Sequence, residues 1–147
     1  RSHALGRTAP GARPGPGTGG VRFVMLLAFT VALAAATAAG TPLKGDPARG
    51  EEIYARCGAC HALESNRTGP RHCGLFGRRA GSVPGFDYSA AMKGSGITWD
   101  ARSLDRFLAN PLATVPGTAM TYAGVPDAQE RADLIAYLRI ATAQCAK

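Results

Sequence analysis

Two long stretches punctuated by Gly and Pro, residues 62–86 and 110–126, limit what this chain of 147 residues can fold into. Loops of that length are uncommon inside a compact domain. Between and beside them only three segments carry a good helical pattern. Small domains bury too little apolar surface to be stable on a thin core alone. A chain built this way needs something further to pack around, and a covalently attached group would supply apolar bulk and a staple together.

The three helical segments have local start and stop signals. Asp46 as N-cap and Pro47 at the first helical position open a helix that runs through Gly50, Ile53 and Tyr54 toward Cys57. A second is expected to start near Thr98, with Ala101, Leu104, Phe107 and Leu108 at helical spacing, and to stop at Asn110 because Pro111 follows. The third starts at a capping pair, Asp127 and Glu130, and sets Leu134, Tyr137, Leu138 and Ala141 on one face. A short turn is expected over Ser89 to Lys93. Alternating β-branched segments are absent, so the fold class is all-α.

Cys57-Gly58-Ala59-Cys60-His61 is a C-x-x-C-H sequence, the attachment pattern of c-type haem. Two thiols at this spacing can add to the two vinyl groups of one porphyrin, and the adjacent imidazole then meets the iron. A thioredoxin-like redox pair would want a preceding strand and a βαβ setting, and neither is found. A zinc module could recruit His72 and Cys73, but it leaves the long loops without a purpose. The implied cofactor is one haem c.

For a sixth ligand the candidates are His72, Met92 and Met120, with a lysine as a remote option, since His3 and Met25 precede the domain. Met92 falls in the short helical turn and reads as a core filler. Met120 lies in VPGTAM, where Pro116 and Gly117 restrict the backbone and can aim a side chain. The assigned iron ligands are therefore His61 and Met120.

Residues 1–20 are rich in Gly, Pro and Arg and open on Arg1 rather than Met. They are expected to be disordered or an upstream, non-native extension, with the true start at Val21 or Met25. Residues 21–39 contain an apolar run ending in Ala36-Thr37-Ala38, which reads as a signal peptide; an uncleaved anchor is the alternative. That leaves residues 40–147 as one domain, in the bacterial periplasm, membrane-associated only if the leader is retained. The net charge of +7 includes four arginines of the leader; without them 13 basic residues face 10 acidic ones, a net of +3. A nucleic-acid partner is not supported by so small an excess. With Cys57 and Cys60 consumed by haem, Cys73 and Cys145 remain and are expected to form a disulfide, the alternative being two buried thiols.

From Gly45 to Ala141 the chain resembles the class I c-type cytochromes, mitochondrial cytochrome c and its bacterial relatives. The resemblance is carried by GACH, TGPRHCGLFGRRAG, PGFDYSAA, GITW, FLANP, VPGTAM and DLIAYL in that order. It implies terminal helices packed across each other, with loops wrapping the haem. It also implies that the Pro70 carbonyl accepts from the His61 ring, and that Arg78, Tyr88, Trp99 and Thr118 hold the propionates. Three departures stand out. The loop from His61 to Gly69 is shorter than in the mitochondrial proteins, Phe107 replaces a customary Tyr beside the Met sulfur, and Met92 replaces a customary Asn. The last two push the potential in opposite directions.

The resemblance implies a soluble, monomeric one-electron carrier rather than an enzyme. Its expected partners are a quinol-oxidising cytochrome complex and a terminal oxidase or dehydrogenase. A small peroxidase-like protein is the enzymatic alternative, and it would need an open iron position. In the mitochondrial family lysines around the haem edge steer docking, yet residues 110–127 here contain neither Lys nor Arg. Docking is therefore expected to rest mainly on apolar contact.

Overall fold

The computed structural model describes residues 43–145. The expected N-terminal extension and signal peptide lie outside the described residues. Five α-helices follow one another: α1 Pro47–Tyr54, α2 Ala90–Gly94, α3 Ala101–Ala109, α4 Pro111–Thr114 and α5 Ala128–Gln144, with a 3-10 turn over Cys57–Ala59 after α1. Among the described residues the only β feature is one isolated bridge between Arg79 and Thr98.

The helix starts follow local chemistry. The Asp46 carboxylate accepts from the Ala48 backbone N–H at 2.9 Å and opens α1. At α3 the first helical residue, Ala101, comes three positions after Thr98, near which the start was expected. Asp100 and Ser103 close a reciprocal capping box there, and Thr98 is held in the bridge to Arg79. The Asn110 carbonyl side chain accepts from Ala113 N–H at 3.0 Å, so the same residue that ends α3 caps α4, a helix not expected from the sequence. Asp127 caps α5 through the Glu130 N–H at 2.7 Å. Glu130 does not return the bond; its carboxylate takes a bidentate pair from Arg56 at 2.9 and 3.0 Å.

Helices α1 and α5, at opposite ends of the domain, pack directly on each other. Gly50 permits the close crossing: a Cβ there would collide with the Asp133 carbonyl and come within 2.7 Å of the Tyr137 Cβ. Buried Asp133 locks the pair, accepting from Asp46 N–H at 2.7 Å, Arg49 Nε at 2.9 Å and Gln129 Nε2 at 2.8 Å. These bonds hold its carboxyl below the usual carboxylate range, with the Arg49 bond as the largest cause. Arg131 joins α5 to α3 through Asp105 at 2.7 Å.

Leu134 is wholly buried at the centre, in one cluster with Ile53, Leu104, Phe107, Leu108, Val125 and Leu138. Cys73 and Cys145 are joined as a disulfide, which ties the loop after Pro70 to the end of α5. A backbone bond from Gly74 N–H to the Thr142 carbonyl at 2.9 Å runs beside it. Among the described residues no helix is long and apolar enough to cross a membrane.

Candidate haem site

The core is not closed. A cavity of about 300 Å³ opens into it, walled by the 3-10 turn, residues of the two long loops, α3 and α5. Leu75, Met92, Trp99, Leu104, Phe107 and Leu138 give it an apolar lining. Every residue assigned from the sequence to the cofactor lies on this wall: Cys57, Cys60, His61, Pro70, Arg78, Tyr88, Trp99, Thr118 and Met120.

The 3-10 turn folds the attachment motif back on itself. Cys60 and His61 both donate their backbone N–H to the Cys57 carbonyl, at 3.1 and 2.9 Å, and Gly69 N–H donates to the Cys60 carbonyl at 2.8 Å. Both thiols are free, and burial pushes that of Cys57 up. His61 Nδ1 lies 2.7 Å from the Pro70 carbonyl. A carbonyl can only accept, so Nδ1 carries the proton and Nε2 keeps its lone pair. Burial lowers the His61 pKa and keeps the imidazole neutral, as a metal ligand must be. Gly69 leaves room for this ring, because a Cβ at that position would strike it.

On the Met120 side, Gly117 turns the chain at φ +88 and Thr118 Oγ1 accepts from Met120 N–H at 3.2 Å. That turn and that bond lie in the segment whose Thr118 and Met120 line the cavity. Met92 lines the same cavity from α2 and is buried. Phe107 packs on Trp99 with ring centroids 5.1 Å apart. The Arg78 guanidinium donates to the carbonyls of Cys73 at 2.6 Å and Arg71 at 3.0 Å, so it braces the loop beneath His61 as well as facing the cavity.

His72, considered from the sequence as a ligand, has another place. Its ring stacks on that of His61 with centroids 4.3 Å apart, and its Nδ1 shares a 3.1 Å hydrogen bond with the Tyr54 hydroxyl. Burial, with His61 and Arg78 adding to it, lowers the His72 pKa to about 3. With Cys73 bonded to Cys145, the zinc arrangement has lost both recruits. Tyr54 and His72 thus form a half-buried backing for His61 that sequence reasoning missed; a histidine two residues after Pro70 was the available signal.

The donor set fits haem c: two free thiols, a neutral imidazole with an open nitrogen and a thioether, all on one slot that is otherwise largely apolar. A family model described as cytochrome c matches residues 47–142. The chain is 44% identical to cytochrome c2 of Rhodomicrobium vannielii over 121 residues, covering 80% of this chain and 93% of that one. It is 50% identical to cytochrome c of Tetrahymena pyriformis over 98 residues, 65% of this chain and 89% of that one. Cytochrome cH from Methylobacterium extorquens superposes with a TM-score of 0.64 at 44% identity, covering 65% of this chain and 99% of the other. The slot, the attachment turn and these likenesses together place the chain in the cytochrome c family, electron carriers rather than enzymes, built around a covalently attached haem c.

Proposed function

We propose that Cys57 and Cys60 would hold the haem covalently, that His61 and Met120 would ligate its iron, and that the protein shuttles single electrons between periplasmic redox complexes. When bound, haem supplies the one-electron Fe(III)/Fe(II) couple. The observation that carries the reading is the 2.7 Å bond from His61 Nδ1–H to the Pro70 carbonyl, which leaves Nε2 as the free donor in a cavity shared with both thiols and Met120. Pro70 orients the ring and raises its basicity. Arg78, Tyr88, Trp99 and Thr118 would hold the propionates, and the apolar wall would keep water from the iron. A Met ligand in the sixth position favours electron transfer over oxygen chemistry.

Its partners are redox proteins such as a quinol-oxidising cytochrome complex and a terminal oxidase or dehydrogenase. The apolar leader and the bacterial relatives support a periplasmic setting. The reading is tested by denaturing the protein in acid and extracting with organic solvent: the colour is expected to stay with the polypeptide, and haem in the solvent overturns the attachment. Met120→Ala is expected to raise cyanide affinity by at least about tenfold, because it opens the iron, whereas Met92→Ala leaves it unchanged. Equal affinity in Met120→Ala and wild type overturns the ligand assignment.

A further inference from the structure

Six residues both line the cavity and are exposed, and so mark its mouth: Arg56, Cys60, Thr68, Asp87, Ala119 and Thr121. The two charged ones are of opposite sign and each has its own counter-ion. Arg56 is held by Glu130 at 2.9 Å, and Asp87 faces Lys93 at 3.4 Å. The segment that carries Ala119 and Thr121, residues 111–126, runs for sixteen positions without a charged side chain. Leu112 is 51% exposed there, with Ala113, Pro116 and Ala123 exposed along the same loop. At the end of the loop Arg131 is turned inward, donating to the Val125 and Pro126 carbonyls and pairing with Asp105. Exposed Arg67 donates to the carbonyl of Gly58, between the two attachment cysteines, and adds one positive charge.

We propose that this rim, flanked by the uncharged segment that carries the exposed Leu112, docks a redox partner whose own electron port is ringed by uncharged, apolar side chains rather than by carboxylates. The inference rests on the reading that electrons leave through this mouth, and it adds the chemistry of the partner. Charge decides the choice. An acidic ring pressed against residues 111–126 would lose its hydration and find no cation to replace it, which is unfavourable. An uncharged port loses little water of that kind and buries Leu112 against apolar surface. Encounter then lacks electrostatic steering, so the association rate is set by apolar contact and is insensitive to ionic strength.

A second copy of this chain presents such an uncharged port, so electron self-exchange between ferric and ferrous holoprotein, read by NMR line broadening, is the probe. From about 0.01 M to about 1 M salt, over which the Debye length falls from ~30 Å to ~3 Å, the rate is expected to change by less than about threefold. A rise of about thirtyfold or more, the signature of like-charged faces being screened, overturns the proposal. Leu112→Ser is expected to slow exchange about fivefold, through lost apolar burial, and an unchanged rate also overturns it. The triple substitution Leu112→Lys/Ala113→Lys/Ala119→Lys, all at exposed positions, should create a steep salt dependence; a flat response in that variant shows that the face is not used. Oxidation of the ferrous protein by hexacyanoferrate(III) separates the two readings. If it fails, the mouth is not an electron port and both readings fall; if it proceeds while self-exchange is steep in salt, only the docking chemistry is wrong.

Discussion

The α1–α5 crossing and the wall of the haem cavity solve the packing problem in opposite ways. At the crossing the chain meets itself: Gly50 lets the two helices close, and Asp133 accepts from Asp46, Arg49 and Gln129. The groups that touch there are all polypeptide. Around the cavity, by contrast, Leu75, Trp99, Phe107 and Met120 face a space that the chain leaves open. The crossing is therefore sensitive to a single added methyl group, while the wall depends on what fills it and on ties from outside.

The strongest of those ties joins the two regions. Replacing the bridge by Cys73→Ser/Cys145→Ser opens a loop of 72 residues and is expected to cost about 4 kcal/mol on the chain-entropy estimate, read by denaturant unfolding of the holoprotein. A loss below about 1 kcal/mol would mean that packing and the Gly74–Thr142 bond secure the loop without it. The crossing is probed next by Gly50→Ala, whose Cβ has nowhere to go; a loss of about 3 kcal/mol is expected with the haem absorption spectrum unchanged below the melting transition. A perturbed spectrum would show that the two regions are less separable than their contacts suggest.

The smallest effect concerns Asp133. Its carboxyl is held below its ordinary pKa of 3.8, so its contribution is present above that value and is lost as pH falls through 3.8 and below. Asp133→Asn is expected to cost about 2 kcal/mol at neutral pH, through the weakened bonds to its donors, and to flatten the acid limb of the stability profile. A wild-type acid limb in that variant would place the titrating group elsewhere.

What was legible in the sequence is what depends on neighbours along the chain. Asp46, Asp127 and Pro111 act within one turn of their own position, so the ends of α1, α3 and α5 could be read closely. The start of α3 falls a little after the expected region near Thr98 because Arg79, far back in the chain, takes Thr98 into a bridge. Glu130 reads as half of a capping box, yet the closer partner in space is Arg56, 74 residues away. His72 reads as a ligand because histidines often are; its stacking on His61 depends on where the loop after Pro70 is laid down.

The sequence by itself determined the chemistry of this protein: C-x-x-C-H dictates covalent haem through local spacing alone, and the loops around it announce that the core is incomplete. Only the tertiary structure decided that Asp133 would anchor the terminal helices, that Tyr54 and His72 would back His61, and that the charges at the cavity mouth would pair off. Each of those outcomes needs two or more distant segments to converge. A buried carboxylate or imidazole is stable only where the fold brings its partners, and no local spacing encodes that meeting.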